Sequence, residues 1–536
     1  MSALRGWLAE GTPQRFLTAA AVVLSLAMIA GLVVLVVETA GSFFWPHPLV
    51  ALRLVDGTRL LGEEWGREAD PRSPGQQRVR LKLGNRDLTG TDFLWVRGSE
   101  VVQRAYPADA WLLERREYGN FYGTAVALER GETRLAPGDP AFRRTLDDEL
   151  ASVRRLLAEQ RSVLGSADRA HSGVARLQLK VASAERRGLA ADELKARLAV
   201  AQSAETTATG PLWQRLDTVR LELDRATLRM RTAAGQDVTV PLQKVVRAIP
   251  VNTLGFGAKL GLYFGRWWEF VSAEPRESNT EGGIFPALFG TAMMVMLMTL
   301  AVVPLGVVTA VYLNEYARDN FFTRAVRLAL ANLAGVPSIV FGAFGLAFFV
   351  YTVGGGIDRM FFSDTLPTPT FGTGGILWAS LTLALLTVPV VVIATEEGLQ
   401  SVPQAVRDGA RALGATRWQT LRRVVLPYAA PGILTGAILA LARGAGEVAP
   451  LMVTGVVKLA PNLPFDRTAP FLHLERKFMH LGFHIYDVGF QSPNVEAAKP
   501  MVYATVLVLL LLVVALNLAA IVLRNRLRRK LRSSAV

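Results

Sequence analysis

The sequence predicts a polytopic α-helical membrane protein: six transmembrane helices, with a large extracytoplasmic insert of strands and a helical hairpin between helices one and two. Three observations predict it. Long uncharged apolar runs lie near both ends and through the second half of the 536 residues, which are 51% hydrophobic. Lys and Arg crowd beside those runs, as they do in membrane proteins. Between the first run and the second lies a long polar stretch, 38–285. The net charge of +14 (59 Lys+Arg against 45 Asp+Glu) would point to nucleic acid on a soluble chain. Here it belongs to the membrane flanks, and no nucleic-acid partner is expected. Composition excludes disorder, collagen and a small disulfide scaffold. Cysteine is absent, which removes disulfides, thiolate nucleophiles and Cys-ligated metals.

A spanning helix needs about 20 apolar residues. Phe16–Val37, Pro286–Leu313, Leu328–Val353, Gly375–Ala394 and Met501–Leu523 meet this without a charge, and Tyr428–Val456 meets it with two. The first run is long for a signal peptide and no A-x-A-like site follows, so an uncleaved anchor is expected. Basic residues mark the cytoplasmic loops. Arg524, Arg526, Arg528, Arg529, Lys530 and Arg532 follow the last run, and Arg5 and Arg15 precede the first. Both termini are therefore expected in the cytoplasm. The loop Thr395–Pro427 is rich in arginine, whereas Gly354–Gly374 has only Arg359. The loop Val457–Pro500, which includes Arg467, blurs this contrast with five basic residues.

This orientation divides the chain into a cytoplasmic N-terminus with helix one (1–37), an extracytoplasmic insert (38–285) and a transmembrane domain (286–536). Within the insert, 49–135 has short apolar runs and turns such as Asp56-Gly57, and reads as strands. The stretch from about 139 to 230 reads as a helical hairpin. Leu146, Leu150, Val153 and Leu157 keep heptad spacing, as do Leu212, Leu216, Val219, Leu223, Ala226 and Met230. Gly188 and Thr206–Pro211 are expected to break it. Val238–Ala248 is expected to return as a strand. The insert is either a passive spacer or assembly surface, or a dock for an extracytoplasmic partner; nothing in it looks catalytic.

The loop 396–427 carries the most specific pattern. Gln404–Leu413 suits a short helix behind Pro403. Gly414 suits a sharp turn, and Thr416 suits the cap of a second helix. Trp418, Leu421, Val424 and Val425 then share a face, and Pro427 opens the next span. This pattern resembles the EAA coupling loop of ABC-importer permeases: Glu-Ala-Ala, three residues, Gly, nine residues, Ile, any residue, Leu-Pro. Asp408, Gly409 and Ala410 stand for its start, followed in register by Gly414, Val424, Leu426 and Pro427. Asp and Gly replace Glu and Ala in the opening. The resemblance implies that this loop docks on a separate ATPase subunit. The chain has no Gly-Lys dipeptide and hence no P-loop. It is expected to bind no cofactor itself, with ATP held by the partner.

Arg443 and Glu447 fall inside the fifth run, four residues apart on one helical face. A charge at the centre of a span costs about 2.5–3.5 kcal/mol on insertion scales. The two are therefore expected to pair and to face protein or a water-filled path rather than lipid. They read either as a structural ion pair or as substrate-pathway residues. In the second reading Arg443 offers its fork to a tetrahedral oxyanion and Glu447 orients it.

Three segments resemble PstA-type permease subunits of phosphate ABC importers: Ala442–Gly455, Asn332–Gly342, and Glu496–Thr505 with the basic tail Arg524–Lys530. The resemblance spans about 286–530 and leaves the insert uncovered. It implies phosphate uptake across the bacterial inner membrane, with an ATPase dimer (PstB-like), a second permease (PstC-like), an extracytoplasmic phosphate-binding protein (PstS-like) and membrane lipid as partners. A permease for sulfate or molybdate, and a membrane-anchored sensor or scaffold using the hairpin, are the alternatives. His480 and His484 are four apart, but no acidic residue lies between them, and a solvated loop is expected rather than a metal site. Gly255–Gly261 lacks the G-x-G-x-x-G offset. It reads as a loop or surface-lying segment, with Trp267 and Trp268 fitting a membrane interface.

Overall fold

A computed structural model describes residues 12–71, 75–466, 470–492 and 495–533; Arg5 and Arg467 lie outside them. Among the described residues six helices are long and apolar enough to cross a membrane: Arg15–Phe44, Phe285–Tyr316, Ser338–Phe361, Ile376–Gln400, Arg417–Gly446 and Ala498–Arg526. They are called spans one to six.

Two spans are displaced from the apolar runs, each for a backbone reason. The third begins at Ser338 rather than Leu328, because Phe321–Leu333 forms a separate amphipathic helix and Pro337 starts a new one. Pro disfavours helical geometry in the residue before it, which separates the two. The fifth begins at Arg417 rather than Tyr428. Pro427 does not open it but sits within it, behind a π-turn over Leu421–Val425. The wider turn accommodates the missing Pro N–H.

Span four is central, packed against spans two and five. Its contact with span five depends on small residues: a Cβ on Gly432 would stand 2.7 Å from the Gly398 Cα. In lipid such close packing replaces the hydrophobic drive available in water. Thr382 and Thr387 donate their hydroxyls to the carbonyls of Trp378 and Leu383, at 2.7 and 2.8 Å. Buried hydroxyls are thereby satisfied within their own helix.

Between spans one and two the chain forms two large antiparallel sheets and a short two-stranded ribbon, Pro275–Arg276 with Glu281–Gly282. Strands β1 (Leu49–Leu54), β2 (Arg59–Ala69), β3 (Gln77–Lys82), β4 (Phe93–Arg97) and β5 (Val101–Ala105) make the first, in the order β4-β3-β2-β1-β5. The second contains β6 (Ala110–Arg115), β7 (Phe121–Arg130), β8 (Thr133–Leu135), β9 (Ala226–Arg231), β10 (Asp237–Pro241) and β11 (Val245–Ile249). Its order is β10-β9-β7-β6-β11, with β8 paired to β7. The segment 238–248 is thus two strands around a short 3-10 turn rather than one strand.

Helices α1 (Phe142–Arg186) and α2 (Asp192–Leu223) form a hairpin on this sheet. Leu146, Leu150, Val153, Val219 and Leu223 pack onto Leu113, Phe121, Leu128 and Leu228. Gly188, at φ +67°, interrupts the spacing as expected and forms the turn of the hairpin. Two details correct the heptad reading. Thr206–Pro211 does not break α2, where packing against α1 overrides local preference. The helix ends at Leu223, so Ala226 and Met230 are buried from strand β9 instead. The hairpin also reaches the helical bundle. Arg161 stands 3.6 Å from Glu274, and the Ser183 hydroxyl donates to Asp364, between spans three and four, at 3.1 Å.

An amphipathic helix, α3 (Phe256–Ser272), precedes span two. The Gly255–Gly261 segment thus lies mainly in a surface helix. Phe44, at the end of span one, packs against Trp267 and Phe270 of this helix.

Candidate functional site

Two places hold the residues singled out in the sequence, and one helix joins them. The first is a bent foot between spans four and five. Helix α4 (Gln404–Ala412) ends on a complete Schellman turn: Ala415 N–H donates to Ala410 O at 3.1 Å and Gly414 N–H to Arg411 O at 2.9 Å. Gly414, at φ +85°, takes the left-handed position that favours glycine. Thr416 then caps the next helix. Its hydroxyl accepts from Gln419 N–H at 3.2 Å, while the Gln419 carboxamide accepts from Thr416 N–H at 2.9 Å. This reciprocal arrangement is a capping box.

The residues at the start of the foot are open to their surroundings. Asp408 is exposed and accepts from Gln404 at 3.0 Å. Gly409 is exposed and Ala410 is half-buried. Val424, Leu426 and Pro427 are half-buried at the far end. Leu421 and Val425 pack onto Leu313, Leu399 and Val402. Trp418 does not share that burial: it is 58% exposed and Leu413 is 91% exposed. Two large apolar side chains therefore project from the foot.

The foot is clamped by a residue the sequence reading missed. Arg407 is buried; one guanidinium nitrogen donates to Glu315 at 2.5 Å and another to Leu399 O at 2.7 Å. Glu315 lies in the π-turn Tyr312–Tyr316 that ends span two. The partners are 92 residues apart, so no local pattern could reveal the pair.

The second place is the far end of span five. Its helix stops at Gly446, and Glu447 is extended, at φ −78° and ψ 132°. Arg443 is thus in the last helical turn, and Glu447 is outside the helix. This corrects the expectation that both lie near mid-span on one helical face. Pro450 supplies the reason: a continuous helix would place its ring against the Gly446 carbonyl and leave that carbonyl without a donor. The chain re-enters a short helix, α5 (Ala449–Thr454), with Pro450 in its first turn. Arg443 and Glu447 still face each other, Nε to Oε1 at 3.6 Å, with side chains 35% and 22% exposed. A cation in the last turn also suits the negative end of the helix dipole. From Trp418 to Arg443 the helix spans about 40 Å at 1.5 Å per residue.

The histidines differ from expectation. His480 and His484 are buried, not solvated. The His480 Nδ1 accepts from Gly482 N–H at 3.1 Å. Burial pushes both imidazoles down, to about 3 and about 4 respectively, so both are neutral near pH 7. The 480–486 segment packs under span two, where Leu481 N–H donates to the Thr291 hydroxyl at 2.8 Å.

Comparison with known proteins adds to this geometry. The family described as binding-protein-dependent transport system inner membrane component matches residues 302–533. A probable ABC transporter permease protein of Bacillus subtilis, YqgI, is 34% identical over 272 residues, covering 49% of this chain and 85% of that protein. The phosphate transport system permease protein PstA of Mycobacterium leprae is 36% identical over 200 residues, covering 37% of this chain and 59% of that protein. PstA of Yersinia pestis is 33% identical over 252 residues, covering 47% and 75%. With six spans joined to these likenesses, the chain belongs to the permease family of ABC importers and is a multi-pass membrane protein.

Proposed function

We propose that this permease is one half of the membrane path of an ABC importer for inorganic phosphate. Its family is one of transporters rather than enzymes, and ATP hydrolysis belongs to a partner ATPase dimer. In this reading the foot and both termini face the cytoplasm and the insert lies outside the bacterial inner membrane. A second, PstC-like permease completes the path, and a PstS-like binding protein delivers the anion.

The observation that carries the reading is the foot joined to Arg443 by one helix. Leu413 and Trp418 offer an apolar contact for the ATPase, with Asp408, Gly409, Ala410 and Gly414 in the same foot. Val424, Leu426 and Pro427 root that foot in the bundle. The Schellman turn, the capping box and the Arg407–Glu315 pair resist bending of the foot. Movement imposed by the ATPase dimer therefore passes into spans two and five rather than being absorbed locally.

At the other end, Arg443 presents a planar guanidinium whose donors match two oxygens of a tetrahedral anion. Glu447 lies within 3.6 Å, close enough to orient Arg443 and to compete for it once the anion leaves. The relatives named as phosphate transport permeases support phosphate as that anion.

The test is uptake of radiolabelled phosphate by the reconstituted transporter. Arg443→Ala is expected to lower uptake at least tenfold, consistent with loss of a charge-assisted contact worth about 1.5–3 kcal/mol, with the ATPase still co-purifying. Unchanged uptake would remove Arg443 from the path. Sulfate or molybdate displacing phosphate at equal concentration would reassign the substrate.

A further inference from the structure

A cavity of about 120 Å³ lies away from the transport residues, where the sheets meet the bundle. Three spans fix its depth. Phe44 and Trp45 come from the end of span one, Gly282 just precedes span two, and Met501 lies in the first turn of span six. The cavity therefore sits at the boundary of the apolar slab. At about 30 Å³ per water it holds about four water volumes, enough for a small polar group and not for an acyl chain.

Its wall carries both signs of charge, and part of that charge is already paired. Arg247 and Arg266 donate to Glu114, each at 2.9 Å. Arg247 also bonds Glu269, and Arg276 pairs with Glu269 at 3.1 Å. The rest is left over. Among the described residues Lys82 makes no ion pair, its ammonium standing 4.9 Å from the Trp65 ring. Glu281 has no hydrogen bond or ion pair there, and burial pushes its carboxyl up. The buried Glu63 accepts from Trp65 at 3.0 Å and stands directly opposite Lys82 on the neighbouring strand. The buried Nε of Arg276 has no partner. The groups with hydrogen-bonding capacity to spare are thus the Lys82 ammonium, the Arg276 Nε–H and the Glu63 and Glu281 carboxyls. They match a ligand that carries a phosphate and an ammonium and adds no net charge.

The surface beside the cavity indicates where such a ligand comes from. Phe256, Leu260, Phe264 and Trp268 of α3 recur every four residues and are all exposed. The opposite side of α3 packs onto the end of span one through Phe270 and lines the cavity with Arg266 and Glu269. An apolar stripe at the level of three span ends has lipid as its natural solvent.

We propose that this cavity takes the headgroup of an aminophospholipid from the leaflet on the insert's side. Lys82 and Arg276 hold the phosphate, Glu63 and Glu281 hold the ammonium, and the acyl chains pass beside the end of span one into the bilayer. The bound ammonium also compensates the unfavourable burial of the Glu281 carboxylate. The lipid ties the sheets to the bilayer at a fixed height.

Thermal unfolding of the full chain in phosphatidylcholine vesicles, with graded phosphatidylethanolamine, tests this. The wild-type transition is expected to rise with phosphatidylethanolamine. Lys82→Ala and Glu281→Gln are each expected to raise the lipid fraction needed for half of that rise by about tenfold. Glu281→Gln is the safer variant, because its carboxyl is disfavoured by burial and a neutral amide should fold as well in phosphatidylcholine alone. An equal rise in both variants would show a bulk bilayer effect and overturn the site. A rise with free O-phosphoethanolamine or inorganic phosphate matching that with the lipid would overturn the lipid as its source. No dependence on phosphatidylethanolamine would overturn it altogether.

Discussion

Buried ion pairs secure both ends of the helical bundle, and they are built differently. At the insert end, Glu114 on β6 binds Arg247 on β11 and Arg266 on α3, and Arg266 also donates to Phe44 O at 3.1 Å. Glu269 ties Arg247 to Arg276. Strands β6 and β11, helix α3, the end of span one and the segment at Arg276 therefore share one network. At the foot, a single pair, Arg407 with Glu315, joins α4 to span two, helped by one bond to Leu399 O. A shared network holds its elements in one arrangement, whereas one pair fixes a distance and leaves rotation about it. In the proposed reading the insert junction is a static joint and the foot is a lever.

The largest effect should come from the insert junction. Glu114→Gln leaves Arg247 and Arg266 without their shared carboxylate, and breaking a buried pair from one side costs about 3–5 kcal/mol. Thermal unfolding of the purified chain reads this directly. The pH dependence follows from the same residue. Burial raises the Glu114 pKa, but the Arg266 and Arg247 guanidiniums outweigh burial and hold it below the usual 4.5. A depressed carboxyl contributes its full stability above the unfolded value and loses it as pH falls through the folded value. The wild type should therefore lose stability below about pH 4.5, and Glu114→Gln should lose less over that range. Equal acid sensitivity in both would show that the network does not depend on Glu114.

Arg407→Met should come next, at about 3 kcal/mol, the low end for a broken buried pair, because Glu315 is 15% exposed and reaches water. If the foot is a lever, the loss should appear less in unfolding than in coupling, with ATPase activity persisting while uptake falls. A variant that unfolds as readily as Glu114→Gln, with coupling intact, would erase the contrast between the two ends.

Much of this was legible where the cause is local. The six apolar runs are visible because lipid demands about 20 apolar residues in succession. Gly414 and Thr416 are visible because a left-handed turn and a helix cap each restrict residue choice at one position. Long-range pairing was not legible: nothing near Arg407 points to Glu315, and nothing near Glu114 points to Arg266. Span limits also resisted reading, since hydropathy continues through Glu447–Thr454 although Pro450 stops the helix. The buried His480 and His484 show a related limit, because their environment comes from span two and not from neighbours in sequence.

The smallest expected effect bears on the lever most directly. Thr416→Ala removes the hydroxyl that accepts from Gln419 N–H and leaves Gln419 to cap alone. Loss of such a cap costs about 1 kcal/mol, too little to unfold a bundle whose buried contacts at Leu421 and Val425 it leaves in place. The first turn of the span-five helix should fray, and the apolar Trp418 beside it should lose its fixed direction. Intrinsic Trp418 emission is obscured by nine other tryptophans, so the readout is a single cysteine at position 413 carrying a spin label in this cysteine-free chain. The label should become more mobile in Thr416→Ala while the unfolding temperature hardly changes. Unchanged mobility would mean that the Schellman turn at Gly414 holds the foot by itself, and that the capping box adds nothing to the lever.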